Sequence, residues 1–304
     1  MKFIAIPAIS RTTFSALAIA ITVFSSCKKD GNPNNLPDVS ADAYAGKIDG
    51  YTSSEEVYPK NLVAYWSFDN TKNEKFSGTA PTSSANDSYA TDGVRGQSLN
   101  LNAGYVYYAN QFNAFKTDSL KSFTISEWLQ ILNNGSKKTM TFQLARPGIF
   151  NGNINFVLET NSKPATDVNN ITVHPTFTAA NGGTQDNLNT STANDTYKSP
   201  RIGMDKWTHF VITYDGVANN FQIWADGIKI GATQYQNRGS NFFKSFEPSE
   251  VIIGSNYNGI PGKTVSTDVS FAPMTGKIDE IRVFNICLPD AHIKALYNLG
   301  VAHK

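Results

Sequence analysis

The chain has 304 residues, with 26 Lys and Arg against 25 Asp and Glu, for a formal charge of +1. That balance supplies no basic field of the kind nucleic acid demands. The length suits one large domain with a tether, and no repeat at solenoid or propeller periods is evident.

Residues 1–26 read as an export signal. Lys2 and Arg11 flank the segment, and the apolar run Phe14–Phe24 is too short for a comfortable membrane span. It ends in Ser25-Ser26-Cys27, which resembles a bacterial lipobox, where cleavage leaves Cys27 as the acylated first residue. An ordinary secretory signal followed by an unrelated cysteine is the alternative. Removing Lys2 and Arg11 leaves 24 basic against 25 acidic residues, a mature charge of −1. The chain has two cysteines; with Cys27 lipidated, Cys287 has no partner, which excludes a disulfide framework. Residues 27–58, with Gly31-Asn-Pro-Asn-Asn-Leu-Pro37, read as a flexible tether, and 59–304 as the domain. Cys27-Lys-Lys-Asp30 also resembles the start of surface lipoproteins in the polysaccharide-utilisation systems of Bacteroidota, which implies an outer-membrane, cell-envelope location.

Strand candidates then follow at short spacing: 62–68, 97–101, 105–108, 122–132, 139–144, 154–159, 171–174, 251–253 and 276–284. Between them, residues 207–231 carry the strongest signal. Phe210, Ile212 and Tyr214 alternate with Val211 and Thr213, and Phe221, Ile223 and Ala225 alternate with Gln222 and Trp224. Asp226-Gly227 supplies the positive φ of a tight hairpin, so this stretch predicts an antiparallel meander. One helix is expected near the end, with Pro289 at its first position, Ile293, Leu296 and Tyr297 on its apolar face, and Gly300 closing it. Many short strands and one terminal helix describe an all-β sandwich of two sheets. Residues 161–201, rich in Asn, Thr, Ser and Gly, form the longest stretch with little regular pattern, either functional or disordered.

Five segments in this order resemble the laminin-G-like, concanavalin A-like lectin/glucanase domains of bacterial secreted proteins. They are 62–69 (LVAYWSFD), 122–128 (SFTISEW), the 207–231 meander, 251–254 (VIIG) and 276–285 with the helix after it. The resemblance spans roughly residues 60–300 and implies an antiparallel jelly roll whose first and last strands are neighbours. Region 133–205 departs from the pattern, and Pro289 stands where a small hydroxyl residue is expected to cap the helix.

Laminarinase-like enzymes on this fold use a Glu-x-Asp-x-x-Glu strand, whose period of two sets the carboxylates on one face. None of the eight glutamates here is followed two residues later by aspartate. The histidines at 174, 209, 292 and 303 lack zinc-ligand spacing, and there is no Gly-x-Ser-x-Gly elbow. His209 reads as a satisfied strand residue; His174, opening the long loop, is harder to dismiss.

Asp279 falls in register with Ile281 and Val283, where a carboxylate is costly unless paired or coordinated. Asp69, expected nearby, could join it around one structural calcium, a hard cation that takes carboxylates. Pairing of Asp279 with Lys277 or Arg282, or a turn cap, is the alternative. Trp224 lies opposite the Phe221/Ile223/Ala225 face, where its ring could cover a sugar; Tyr197 and Tyr257 are further candidates. Trp66, Trp128 and Trp207 are expected in the core. The expectation is a lipid-anchored, non-catalytic carbohydrate-binding module holding polysaccharide at the envelope. The alternatives are an adhesion domain that binds a protein, including an outer-membrane partner, and a polysaccharide-degrading enzyme with an unrecognised site.

Overall fold

The computed structural model describes residues 46–189 and 198–304. Cys27, the signal segment and Tyr197 lie outside these residues. The described chain forms strands β1 (Leu62–Trp66), β2 (Ser83–Ala90), β3 (Ser98–Tyr108), β4 (Phe123–Ile131), β5 (Thr139–Arg146), β6 (Ile149–Leu158), β7 (Thr176–Thr178), β8 (Thr184–Asp186), β9 (Gly203–Asp215), β10 (Asn220–Ala225), β11 (Ile228–Lys229), β12 (Glu250–Ile253) and β13 (Met274–Phe284), then helix α1 (Asp290–Val301).

The hydrogen-bonded order is β11-β10-β9-β4-β13-β3-β12-β5-β6-β7-β8, with β1 on β13 and β2 on β3. β3 is the corner. Leu99–Gly104 pairs with β13, whereas Val106–Tyr108 pairs with β12, so one long strand serves both layers. The path folds over on itself, and its inner faces share one apolar core. Phe123, Ile125, Leu129, Phe210, Ile212 and Tyr214 from one layer join Phe142, Leu144, Ile154, Phe156 and Phe177 from the other. This is the two-layer, all-β sandwich with a C-terminal helix that the many short strands and the terminal helix implied, in the jelly-roll form that the family resemblance implied. The first and last strands are neighbours, Leu62 opposite Phe284 and Trp66 opposite Ile281.

The meander forms as β9–β10–β11. Ala225 pairs with Ile228 across a turn in which Asp226 and Gly227 both have positive φ, 47° and 72°. Elsewhere the structure departs from the pattern. The segments expected at 97–101 and 105–108 are one strand, β3, which begins at Ser98. Residues 171–174 make only a single bridge, Leu158 to Val173, while β2 and β8 are mostly polar and β7 is three residues long, with Phe177 alone turned into the core. Residues 46–58 are not tether: Val57 is fully buried, and Ile48, Tyr51 and Tyr58 pack beside it. Gly300 lies within α1, and the helix closes at Ala302. A Cβ on Gly300 would stand 2.2 Å from Cζ2 of Trp128, so the glycine marks a close helix–sheet approach instead of an end.

The outer faces of the sandwich are also covered. Helix α1 and the 46–58 segment bury a second cluster that includes Tyr65, Val211, Trp224, Phe284, Leu288, Ile293 and Leu296. The loop between β12 and β13 buries a third, with Tyr105, Tyr107, Ala145, Ile252, Tyr257 and Ile260.

Candidate functional site

Of the residues expected to bind sugar, Trp224 and Tyr257 lie in separate buried clusters, and Tyr197 lies outside the described residues. Trp224 does project away from the Phe221/Ile223/Ala225 face, but α1 covers that face and leaves the indole only 5 % exposed. Its outward display is therefore corrected. Periodicity reports which face a residue takes, not whether another element lies over it. Tyr257 is buried in the third cluster, where its hydroxyl donates to Oε2 of Glu250, which also accepts from Tyr107 at 2.7 Å. Trp66 is in the inner core and Trp128 is buried under α1, but Trp207 is half-exposed and donates its ring N–H to the Asp92 carbonyl at 2.8 Å.

Asp69 and Asp279 hold one loop, and the donors around them are wrong for a cation. Asp279 Oδ2 accepts the N–H of Val94 at 2.7 Å and of Arg95 at 3.3 Å, and its Oδ1 accepts the N–H of Glu280 at 2.9 Å. Asp69 Oδ1 accepts the N–H of Gln97 at 2.8 Å. Backbone N–H groups thus engage both oxygens of Asp279 and one oxygen of Asp69, where calcium would need carboxylate and carbonyl oxygens free. Among the described residues, no group of three or more His, Cys, Asp or Glu is placed to hold a metal. Burial, with Glu280 beside it, pushes the Asp279 carboxyl up to about 9, against three donors that favour the charged form. Nor does Asp279 share a face with Ile281 and Val283. A bulge at 279–282, with Glu280 at φ 54°, shifts the phase so that Ile278 lines up with them in the core.

Two of the four histidines, His174 and His209, were the ones weighed for chemistry, and neither is placed for it. His174 Nδ1 meets Glu159 at 2.9 Å and its Nε2 meets Asp186 at 3.2 Å. Although burial opposes the charge, those two carboxylates hold the ring up at about 9, so at neutral pH both nitrogens donate and no lone pair remains for base or metal work. Lys138 at 2.8 Å from Glu159 and Arg238 at 3.6 Å from Asp186 close the network. His209 is buried, stacked on Trp128 at 4.7 Å and bonded through Nε2 to Ser126 at 2.8 Å; burial pushes it down to about 3.

The concave surface with free chemistry lies where the β12–β13 loop, residues 254–273, meets the loop after β4. Asn258 shapes the first segment: its Oδ1 accepts the N–H of Val265 at 3.0 Å, and its Nδ2 donates to the Asp268 carbonyl at 2.9 Å. Residues 270–272 are clamped along Lys138, whose N–H donates to Ser270 at 2.8 Å and whose carbonyl accepts from Ala272 at 3.0 Å. This fixes Phe271, which is half-buried and edge-on to Phe150 at 5.5 Å. Phe271 lines a cleft of about 380 Å³ together with Asn256, Thr264, Thr267 and Asp268. A second cleft, of about 560 Å³, is lined by Leu132, Asn133, Asn134, Ser136, Thr139 and Met204, among others. Lys137, Ala272 and Pro273 line both.

Behind each cleft is a buried amide atom without a protein hydrogen-bond partner. Asn133 is 1 % exposed; its Nδ2 donates to the carbonyls of Asp167 and Asn170, both at 2.8 Å, and its Oδ1 has none. Asn256 is 3 % exposed, and its Nδ2 has none. Both unmatched atoms are themselves closed to solvent, so they lie behind the cleft linings, whose accessible polar groups are those of Asn134, Ser136, Asn258, Thr264 and Thr267. Sequence reading passed over Phe271 because it sits alone in Ser270-Phe-Ala-Pro273 without a periodic neighbour. The available signal was loop length: twenty residues between β12 and β13.

The family model described as the concanavalin A-like lectin/glucanases superfamily matches residues 102–294. Among solved structures, the binding domain of Paraclostridial Mosquitocidal Protein 1 is similar at 15 % identity and TM-score 0.52, over 79 % of this chain and 52 % of that chain. The botulinum neurotoxin serotype C1 binding domain gives 15 % identity and TM-score 0.50, over 80 % of this chain and 52 % of that one. This chain thus spans about half the length of each toxin domain. Domain 4 of AbnA, an extracellular arabinanase from Geobacillus stearothermophilus, solved with arabinotriose, gives 16 % identity and TM-score 0.49, over 78 % of this chain and 98 % of that one. No curated protein matches by sequence.

Proposed function

This chain belongs to the concanavalin A-like lectin/glucanases superfamily, and we propose that it is a lipid-anchored, non-catalytic carbohydrate-binding module of the cell envelope. The observation that carries the glycan reading is Phe271 in its cleft. A fixed aromatic ring, half open to solvent, shares its cleft with the amide of Asn258 and the hydroxyls of Thr264, Ser266 and Thr267. Such a ring covers the apolar face of a sugar while the polar rim takes its hydroxyls. Fold membership alone would not single out this role, since one fold serves many functions.

Envelope anchoring is proposed from Ser25-Ser26-Cys27. Several acyl chains on Cys27 would hold the protein firmly, where one would hold it marginally. Calcium has no part in the reading, because Asp69 and Asp279 are engaged by backbone N–H groups.

A glycan array probed with the purified chain tests the binding role. Phe271→Ala is expected to weaken the best hit by about 0.5–1.5 kcal/mol or more, with the melting temperature little changed. Full affinity in a folded Phe271→Ala protein would remove this cleft from the site. Binding of envelope proteins with no glycan hit would favour the adhesion reading. For the anchor, Cys27→Ser is expected to abolish acyl labelling and release the protein from the membrane fraction.

A further inference from the structure

We propose that the two clefts are adjoining subsites of one groove, and that the groove takes a neutral oligosaccharide chain in preference to a single sugar or an acidic glycan. This rests on the glycan reading above and names the class of ligand.

Two features argue for a chain. The clefts share the wall formed by Lys137, Ala272 and Pro273, so a ligand leaving one enters the other. Their volumes, about 380 and 560 Å³, each fall in the range of about 300–1,000 Å³ typical of small-ligand sites, so each has its own room for a sugar. Polar side chains line both: Asn258, Thr264 and Thr267 in one cleft and Asn134, Ser136 and Thr139 in the other, so the hydroxyls of a chain crossing the shared wall meet amide and hydroxyl partners on either side.

Neutrality follows from the charges. Lys137 and Asp268 are the charged side chains that line the clefts. Nζ of Lys137 donates to the Val269 carbonyl at 2.5 Å, and Asp268 Oδ1 accepts the N–H of Ser270 at 2.7 Å. Lys138, next in sequence, is held at 2.8 Å by Glu159. One N–H of Lys137 is thus engaged by the Val269 carbonyl, and the Asp268 carboxylate lining the same cleft offsets its charge, so the linings together carry no net positive charge to draw a ligand carboxylate.

The test is calorimetry on the full chain with cello-, xylo-, manno- and malto-oligosaccharides from monosaccharide to hexasaccharide, and with oligogalacturonate as the acidic comparator. Two variants each fill one cleft from an exposed rim position: Thr264→Trp in the smaller, Ala165→Trp in the larger. In at least one neutral series, affinity is expected to rise about tenfold or more from monosaccharide to the longer chains, the equivalent of about 1.4 kcal/mol. Each Trp variant is expected to remove that gain while keeping the wild-type melting temperature. Affinity independent of length, a gain lost in one variant only, or tighter binding of oligogalacturonate would overturn the proposal and leave the glycan reading standing. No binding of any saccharide by wild type would overturn both.

Discussion

The carboxylate of Asp279 accepts the backbone N–H of Val94 at 2.7 Å, across 185 residues of chain. Asp69 takes the N–H of Gln97 at the other end of the same short loop, so two acids from β13 and the β1–β2 connection hold one turn between them. Asp279→Ala strands the buried donors of Val94, Arg95 and Glu280, at about 1–3 kcal/mol for each one left unmatched. Urea unfolding is expected to show a loss of at least that size. Chelator added to wild type is expected to leave the melting curve in place. A calcium-dependent melting temperature abolished by Asp279→Asn would contradict the N–H assignment.

Trp224→Ala is expected to cost about 3–5 kcal/mol, as for other emptied aromatic sites in cores. The ring packs under α1 with Val211, Leu288 and Leu296, and Lys229 Nζ sits 4.7 Å from its centroid. Thermal and denaturant melts measure this. A loss below about 1 kcal/mol would mean that α1 does not cover the ring in solution.

Much of the framework was legible because it rests on local physics. The alternation at 207–231 and the Asp-Gly turn specify the meander, and the ordered motifs specify which strands meet. The parts that were not legible depend on what lies over each face. Phe221 and Trp224 both occupy buried environments on opposite sides of β10, and only the path of α1 explains the second. Asp279 was misplaced by one bulge, since a single extra residue inverts every later side chain. Strands β2 and β8 are mostly polar, and β7 is only Thr176-Phe177-Thr178, too short to show a period. The candidate clefts form between the β12–β13 loop and the loop after β4, and no spacing in the sequence pairs them.

Glu127 gives a pH signature. It points into the core between Ile125 and Leu129, its Oε1 accepting from Thr141 and its Oε2 without a protein partner. Burial pushes its carboxyl up to about 8, against about 4.3 in the unfolded chain. A raised acid stabilises fully below the unfolded value, and that contribution is lost as pH rises through the folded one. Wild type is therefore expected to lose stability relative to Glu127→Gln between about pH 4.3 and 8, with the difference levelling off above 8. Melting temperatures taken across that range check it. Parallel curves for the two proteins would show that Glu127 ionises freely.

Gly300→Ala sets two effects of opposite sign against each other. In an exposed helix interior the change would gain about 1 kcal/mol from propensity. Here the new methyl would lie 2.2 Å from Cζ2 and 2.7 Å from Cε2 of Trp128. That indole cannot easily give way, because it is stacked on His209 at 4.7 Å and on Tyr297 at 5.9 Å. Either α1 lifts from the sheet or the stack shifts, and overpacking of this kind costs about 1–3 kcal/mol. The clash is expected to win, giving net destabilisation by denaturant unfolding and a changed tryptophan emission. Stability equal to or above wild type would show that α1 stands further from β4 than 2.2 Å permits, and would loosen the argument that buries Trp224 under the same helix.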